Sequence, residues 1–469
     1  TDGTEYDLAI VGSGAAGFAA AIKAREQGAR VVMVERGTLG GTCVNIGCVP
    51  SKTLLRAAEV YHTAGHHPFA GIETHAGKVD FGAMVVQKNR LVGSLRREKY
   101  ANLINEYGWE LIIGEGDAHF LDDATLAVGP HTIRAANYLI ATGARPAVPL
   151  IPGLAEAGYL TSTTAMDLTV LPRSLVVLGA GYIALELGQL FRQLGTEVTL
   201  LQRGQRLLPE YEPEVAEAVQ AMLLREGVEV LTGTHAERVE RDAEVRRMHV
   251  GVDGASRVLD AEHVLVATGR APNVEALDLP AAGVATDEHG AIVVDNLLRT
   301  SNPRIFAAGD VTLAPQFVYV AAYQGGLAAE NALNGAAKPA DLTALPGVIF
   351  TDPQVATVGL TEEQARAEGY EVKSSVLPVS AVPRAQVNHE DVGVFKLVAD
   401  AVTDRLLGAH VVAGNAGDVI HAATLAVKHR LTVADLVDGF APYLTISEGL
   451  KLAALAFERD VAKLSCCAA

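Results

Sequence analysis

The chain has 469 residues, 49% of them hydrophobic, and a formal net charge of −17. This length exceeds one ordinary domain, and the abundant Gly and Ala are typical of an α/β protein with buried parallel strands. The acidic balance argues against nucleic acid as a partner, because phosphate binding needs clustered Lys and Arg. No apolar run is long enough to span a membrane and the N-terminus lacks a secretory pattern, so we expect a soluble, cytoplasmic protein without membrane contact.

A nucleotide-binding pattern opens the chain. It predicts a buried strand, a glycine-rich turn, a helix and a second strand, at residues 6–11, 12–17, 18–27 and 30–35. Gly12, Gly14 and Gly17 allow a tight turn and let the backbone approach a pyrophosphate, which the helix N-terminus attracts. Glu35 follows Gly12 by 23 positions and is placed to accept hydrogen bonds from ribose hydroxyls.

The same unit recurs in the middle of the chain. Its strand, turn, helix and second strand are predicted at residues 174–178, 179–184, 185–194 and 197–202, and its turn contains Gly179 and Gly181. The repeated unit predicts a second nucleotide site.

The second unit differs from the first at the end of its second strand. Gln202 occupies the position that Glu35 has in the first unit, and Arg203 and Arg206 follow it. No carboxylate repels a phosphate there, and two guanidiniums can bind one. The second site is therefore predicted to prefer NADPH over NADH.

Later segments indicate how the domains are arranged. Two buried strands run into Ala-Thr-Gly at Thr142-Gly143 and Thr268-Gly269, and each is expected to close one nucleotide-binding domain. A strand from Ile305 to the Gly309-Asp310 turn should return the chain to the first domain. We predict an α/β fold with two Rossmann-like dinucleotide-binding domains and an α+β C-terminal domain. The four segments are the first part of one dinucleotide-binding domain, a second dinucleotide-binding domain, a return segment to the first domain and the C-terminal domain, at residues 1–150, 151–278, 279–338 and 339–469.

All four cysteines of the chain occur in pairs, Cys43 with Cys48 and Cys466 with Cys467. Paired thiols serve disulfide exchange, soft-metal binding or both. A helix beginning after Cys43 would lower the pKa of a thiol through its N-terminal dipole. A structural disulfide is disfavoured in a cytosolic protein.

The segment Gly-Gly-Thr-Cys-x4-Cys-x-Pro-Ser-Lys at residues 40–52, with both glycine motifs and the Ala-Ala-Gly-Asp turn, resembles the flavoprotein disulfide reductases. This family includes glutathione reductase, dihydrolipoamide dehydrogenase and mercuric reductase. The resemblance implies FAD at the first motif, NADPH at the second and a homodimer formed through the last domain. It also implies that Cys48 lies against the flavin as a thiolate and that Cys43 is the exchange thiol.

The resemblance assigns further residues to the cofactors. Lys52 would approach the flavin and pair with Glu186, Asp310 would hold the ribityl chain, and Tyr182 would cover the nicotinamide pocket until NADPH displaces it. The remaining residues implied to line the dinucleotides are Gly37, Thr42, Ala118, Thr142, Gly143, Gly269 and Val318.

Two departures indicate which branch of the family the chain resembles. Disulfide reductases carry a His-Pro pair in the last domain, whereas this chain has Tyr443 there, and an ordinary phenol is a poor acid–base catalyst at pH 7. Neighbouring Cα atoms about 3.8 Å apart are too close for an ordinary disulfide, so Cys466 and Cys467 are better suited to a soft ion such as Hg²⁺. These features, with a second phenol at Tyr100, resemble the mercuric reductases.

The resulting hypothesis is a cysteine relay. Hg(II) held by small thiols would pass to Cys466 and Cys467 of one protomer, then to Cys43 and Cys48 of the other, where NADPH and FAD reduce it to Hg(0). Two alternatives stay open: an NADPH-dependent disulfide reductase of the glutathione reductase or lipoamide dehydrogenase type, and a thiol protein that sequesters metal without turnover.

Overall fold

Two parallel nucleotide-binding sheets and a separate antiparallel domain make up the architecture. The structure, a computed structural model, describes residues 5–252, 254–335 and 338–463. Parallel βαβ units in both sheets and an α+β domain at the end confirm the predicted fold class. Cys466 and Cys467 lie outside the described residues.

The first segment contributes seven strands and five helices. The strands are β1 Tyr6–Val11, β2 Val31–Glu35, β3 Glu110–Ile113, β4 Ala118–Asp122, β5 Thr125–Val128, β6 His131–Ile140 and β7 Ala144–Pro146. The helices are α1 Ala15–Glu26, α2 Gly41–Ile46, α3 Cys48–His66, α4 Phe81–Arg96 and α5 Asn102–Tyr107, with a π-helical turn at Arg97–Ala101 between the last two.

The first sheet has the strand order β3-β2-β1-β6-β5-β4, and strands β1, β2, β3 and β6 run parallel. Strand β1 is covered on both faces, which explains its uninterrupted apolar sequence. Leu8 and Ile10 pack toward α1, whereas Ala9 and Val11 pack into the core on the opposite face. The carboxyl end of β1 is thereby fixed where its glycine turn begins.

The second segment contains helices α6 Leu154–Ala157, α7 Ser162–Ala165, α8 Tyr182–Gln193 and α9 Pro213–Arg225. Its strands are β8 Ser174–Leu178, β9 Glu197–Leu201, β10 Glu229–Leu231, β11 Thr234–Asp242, β12 Val245–Val252, β13 Ala255–Ala261, β14 His263–Val266 and β15 Arg270–Pro272. Strands β10-β9-β8-β14 form a parallel sheet, and β11-β12-β13 form an antiparallel one. A two-stranded ladder of β7 and β15 links this segment to the first.

The return segment contains β16 Ile305–Ala307 and α10 Val318–Asn334, with a 3₁₀ turn at Asp310–Thr312 between them. Strand β16 pairs in parallel with β6, so the chain rejoins the first sheet. Helix α10 packs so closely on α1 that a Cβ added to Gly325 would lie 2.0 Å from the Ala16 carbonyl oxygen. This packing holds the first glycine turn from behind.

The last segment forms a five-stranded antiparallel sheet in the order β17-β18-β21-β20-β19. The strands are β17 Pro346–Ile349, β18 Gln354–Gly359, β19 Val372–Pro378, β20 Val394–Asp400 and β21 Leu406–Ala413. The helices are α11 Glu362–Ala367, α12 Pro383–Asn388, α13 Ala416–Lys428, α14 Val433–Asp438 and α15 Glu448–Leu455.

A buried charge cluster fastens the last sheet to the second nucleotide domain. The side chain of Lys396 on β20 is 3% exposed, and its Nζ lies 2.9 Å from carboxylate oxygens of Glu212, Glu214 and Glu362. Glu212 and Glu214 stand at the start of α9. Removing the ammonium would leave three carboxylates close together, so we expect Lys396 to be essential for this domain contact.

None of the helices in the described parts of the chain combines the length and apolar character that crossing a membrane requires.

Candidate active site

The two glycine turns have nearly the same backbone geometry. Gly12 and Gly179 both have φ +107°, and a Cβ would lie 2.3 Å from the Ala141 carbonyl oxygen in the first and 2.4 Å from that of Ala267 in the second. Only glycine fits where a φ of this sign coincides with such close backbone approach. Each turn leaves its helix N-terminus open to a pyrophosphate.

The first nucleotide pocket is built around Glu35. Its carboxylate accepts hydrogen bonds from the Ser13 hydroxyl at 2.7 Å, the Ser13 amide at 3.1 Å and the Gly37 amide at 2.7 Å. The cavity beside it is lined by residues that include Gly12, Glu35, Ala118 and Thr142. Four predicted residues therefore line one cavity, and Gly37 lies next to it through Glu35.

Other predicted residues of the first pocket frame its inner end. A Cβ on Gly17 would lie 2.1 Å from the Gly12 carbonyl oxygen, and one on Gly41 would lie 2.6 Å from the Gly14 Cα. The start of α2, with Thr42, thus crosses directly over the first turn. Gly143 has φ +68° and follows β6.

The second nucleotide cleft has a volume of about 1040 Å³ and lies at the carboxyl ends of β8 and β9. Its lining includes five residues that the sequence predicted for the second nucleotide site: Gly179, Gly181, Tyr182, Arg203 and Gly269. Among the described residues that line this cleft there is no carboxylate. The described lining of the cleft therefore presents no carboxylate to an additional phosphate.

The two arginines predicted for the second cleft lie in different surroundings. Arg203 lines the cleft. Arg206 instead donates to the carbonyl oxygens of Pro209 at 2.8 Å and Tyr211 at 3.1 Å, so it stabilises the loop before α9. His235, which sequence reasoning missed, also lines the cleft. An isolated histidine at the start of a strand gives no sequence signal for this position.

Cys43 and Cys48 are free thiols, half-buried at the junction of α2 and α3. The hydrogen bond from Cys43 and the Lys52 ammonium, opposed by burial, lower the pKa of Cys48 to about 7. Donation to Cys48 and burial raise the pKa of Cys43. Cys43 itself lies within α2, and the long helix α3 begins five residues later, at Cys48. The helix dipole therefore favours a thiolate at Cys48.

Lys52 lies one helical turn after Cys48 and pairs with Glu186 of α8. Its Nζ is 2.7 Å from Glu186 Oε2 and 4.7 Å from the centre of the Phe350 ring. Glu186 is 5% exposed, and its Oε1 accepts from the Phe350 amide at 3.0 Å. Residues from three segments thus fix the ammonium beside the dithiol.

Asp310 follows β16 at the base of the site. Burial raises the pKa of Asp310, and Arg270 Nε lies 3.5 Å from its Oδ2 without a hydrogen-bond partner of its own. An incompletely satisfied buried pair is suited to a polar ligand. Val318 begins α10 a few residues later.

Three predicted tyrosines occupy different places. Tyr100 packs edge-on against Phe18 at 4.7 Å, and burial, followed by the nearby thiols of Cys43 and Cys48, raises the pKa of Tyr100. This phenol therefore lies close to the dithiol. Tyr182 lines the second cleft. Tyr443 lies between α14 and α15 in the last domain, with 51% of its surface exposed.

Within the described residues, no group of three or more His, Cys, Asp or Glu side chains is arranged to hold a metal ion. Cys43 and Cys48 were predicted from the sequence as ligands of a soft ion. The terminal pair predicted to share this role lies outside the structure's described ranges.

Comparison with known proteins identifies the family. The model described as "Pyridine nucleotide-disulphide oxidoreductase" matches residues 6–325, and that of the family's dimerisation domain matches residues 345–454. The chain belongs to the pyridine nucleotide-disulphide oxidoreductases. Within this family its sequence groups with the mercuric reductases. The chain is 57% identical to the mercuric reductase of Staphylococcus aureus over 99% of this chain and 84% of that protein. It is 52% identical to that of Streptomyces lividans, over 99% of both.

Solved structures show the same oxidoreductase fold. The HOCl-induced flavoprotein disulfide reductase RclA from Escherichia coli, in its Cu(II) complex, superposes with a TM-score of 0.86 at 31% identity. The match covers 96% of this chain and 99% of that one. A second RclA structure matches with a TM-score of 0.85. The oxidoreductase family predicted from the motifs is therefore confirmed.

Proposed function

We propose that this protein is an NADPH-dependent flavoprotein that reduces Hg(II) to Hg(0). The overall change is NADPH + Hg²⁺ → NADP⁺ + H⁺ + Hg⁰. The observation that carries the proposal is the Cys43–Cys48 pair, with Tyr100 beside it, in a chain 57% identical to a mercuric reductase. Thiolates are the ligands that soft ions prefer.

The two thiols have different roles in capturing the ion. With a pKa of about 7, Cys48 is substantially a thiolate at neutral pH, so we assign it as the first inner ligand in place of Cys43, the exchange thiol that the family resemblance implies. Cys43 keeps its proton until the ion arrives, because its pKa is raised. It loses that proton on binding, because a coordinating thiol is deprotonated by the metal. Lys52 favours the Cys48 thiolate before the ion binds, and the ion with its two thiolates is then neutral.

The first pocket fits FAD on the chemistry of its residues. Glu35 lies where ribose hydroxyls would bind, the Gly12 turn admits a pyrophosphate, and Asp310 offers a buried carboxylate for a hydroxylated chain. When bound there, FAD would accept a hydride from NADPH and deliver two electrons to the metal ion. The chain's own residues orient this cofactor and bring the substrate ion to it.

The second cleft supports NADPH as the reductant. Gln202 directly follows β9, whereas Glu35 ends β2, and Gln202 and Arg203 both line the cleft. The 2′-phosphate that distinguishes NADPH from NADH thus meets a cation and no carboxylate. Arg206 donates to the carbonyl oxygens of Pro209 and Tyr211, so it would bind the 2′-phosphate only after these two hydrogen bonds break.

We further propose that Cys466 and Cys467 of one protomer transfer Hg(II) to Cys43 and Cys48 of its partner, with Tyr100 and Tyr443 flanking the ion. The family's dimerisation domain at residues 345–454 supports a homodimer. Transfer between dithiol pairs keeps a soft cation coordinated at each step. A cytoplasmic location suits this chemistry, because thiols stay reduced there.

The decisive experiment measures NADPH oxidation by the FAD-loaded protein with Hg²⁺ in excess small thiol, together with mercury vapour. The proposal expects about one mercury atom released for each NADPH oxidised. A Cys43→Ser variant with FAD bound should lose this turnover, whereas a Tyr323→Phe variant should keep it.

Two results would favour the alternatives. Oxidation of NADPH by glutathione disulfide or a lipoyl disulfide, without mercury release, would indicate a disulfide reductase. Stoichiometric Hg²⁺ binding without NADPH consumption would indicate sequestration. Cu²⁺ belongs in the same assay as a comparison ion, because a Cu(II) complex of the structurally similar RclA is known.

A further inference from the structure

Tyr211 contacts Tyr182, which lines the second cleft. Its hydroxyl donates to the Tyr182 hydroxyl at 2.6 Å, and the two rings meet edge to face at 6.1 Å and 82°. On another side, the Tyr182 ring stacks on Phe317 at 5.6 Å and 23°. The Tyr182 ring is therefore held in one position by a hydrogen bond and by a stacked ring.

The position of Tyr211 is itself fixed by the loop between β9 and α9. Its amide donates to the Leu208 carbonyl at 2.9 Å, and its own carbonyl accepts from Arg206 at 3.1 Å. The next residue is Glu212, which is 3% exposed and bonded to Lys396. Tyr211 therefore belongs to a rigid segment, whereas Tyr182 is 37% exposed and has open cleft beside it.

The chemistry of the contact suits a hydrogen-bond latch. Burial and the neighbouring Tyr182 raise the pKa of Tyr211, so this phenol remains a hydrogen-bond donor throughout the physiological range. Tyr211 comes from the nucleotide domain, whereas Phe317 precedes α10 in the return segment. The stacking of Tyr182 on Phe317 thus joins these two segments beside the cleft, whereas the hydrogen bond from Tyr211 lies within the nucleotide domain.

We propose that Tyr211 is a positioning residue that holds Tyr182 closed over the nicotinamide end of the second cleft. The proposal rests on NADPH as the bound nucleotide. Entry of the nicotinamide moves the Tyr182 ring and breaks the hydrogen bond to Tyr211, so part of the binding free energy opens the latch. When NADP⁺ leaves, the hydrogen bond between Tyr211 and Tyr182 forms again, and its free energy favours the release of NADP⁺.

The test compares Tyr211→Phe with the unaltered FAD-loaded protein. Removing one hydrogen bond should lower the KM and the dissociation constant for NADPH about two- to tenfold. The dissociation constant for NADP⁺ should fall by the same factor, and the limiting rate of flavin reduction should change less than KM. Tyr323→Phe is the matched control, because its hydroxyl accepts a hydrogen bond from the Asp341 amide away from the cleft.

A double-mutant cycle separates a latch from a structural role. Tyr182→Phe should lower the NADPH dissociation constant as Tyr211→Phe does, and combining them should add little. An unchanged or higher dissociation constant in folded, FAD-loaded Tyr211→Phe, or fully additive effects, would overturn the proposal. Binding and flavin reduction are measured without any metal ion. A failure to turn over Hg²⁺ would thus overturn the proposed function and leave the latch intact.

Discussion

The Lys52 ammonium lies 2.7 Å from the Glu186 carboxylate and one helical turn from the Cys48 thiol. The two charges act on Cys48 in opposite directions, since Lys52 lowers the pKa of Cys48 and Glu186 raises it. The ion pair between Lys52 on α3 and Glu186 on α8 therefore adjusts the reactivity of the Cys48 thiol as well as joining two segments.

Replacing either partner of this pair should shift the pH dependence of metal capture. Thiolate at Cys48 is lost as pH falls through about 7. Lys52→Met raises that pKa, so capture of thiol-bound Hg²⁺ at pH 7 should slow about two- to fivefold. Glu186→Gln should move the midpoint in the opposite direction. Stopped-flow capture rates between pH 5.5 and 9 provide the measurement, with exposed Lys78→Met as the control; coincident profiles would refute the assignment.

The first glycine turn should not tolerate a methyl group. Gly12→Ala combines a φ of +107° with a Cβ 2.3 Å from a carbonyl oxygen, so we expect purified protein with little FAD and a stability loss of at least about 3 kcal/mol. Gly28→Ala is the matched control, because Gly28 has φ +79° with nothing within 4 Å of an added Cβ. That variant should lose only about 1 kcal/mol and retain FAD. Flavin content and urea unfolding measure both effects, and equal losses would contradict the steric argument.

The two arginines near the second cleft should contribute unequally to nucleotide choice. Arg203→Ala should reduce kcat/KM for NADPH about tenfold or more while changing NADH little, because a charge-assisted phosphate contact is lost. Arg206→Ala should have a smaller effect on this ratio, since Arg206 is bonded to Pro209 and Tyr211. Steady-state kinetics with both nucleotides decides, and the reverse ranking would show that Arg206 leaves its loop to bind phosphate.

Loss of the terminal thiols should affect only delivery of the metal. A Cys466→Ser/Cys467→Ser double variant is expected to bind FAD and reduce it with NADPH normally. Its turnover of thiol-complexed Hg²⁺ should fall about tenfold or more, because the relay loses two soft ligands. Deletion of Ala468 and Ala469 is the control that shortens the chain but keeps both thiols. Unaltered mercury release by the double variant would exclude the relay.

The sequence predicted those features that depend on local chemistry. Strand β1 was predicted at residues 6–11 and is observed there, because an apolar run before a glycine turn has few other solutions. Helix α1 begins at Ala15, inside the predicted turn, since its first residues are small enough to start the helix at once. The pairing of Lys52 with Glu186 came from the family resemblance, and the structure places these side chains in contact.

Features that depend on folding together distant segments could not be predicted in this way. The contact of Tyr211 with Tyr182 joins residues 29 positions apart through a loop, and Lys396 meets Glu212 across 184 positions. The start of α3 at Cys48 depends on Gly47, whose backbone at φ −123° and ψ −110° separates α2 from α3. No periodicity in the sequence marks that break.

The matching backbone geometry of Gly12 and Gly179 suits an origin of the two nucleotide-binding units by duplication. Two turns with the same φ, and with carbonyl contacts that differ by only 0.1 Å, are what an ancestral duplication of one nucleotide-binding unit would leave. After such an event the backbone needs no further change, and each copy specialises through the residue at the carboxyl end of its second strand, where Glu35 is the last residue of β2 and Gln202 directly follows β9. Coenzyme preference in this protein should therefore be open to redesign by side-chain exchange alone.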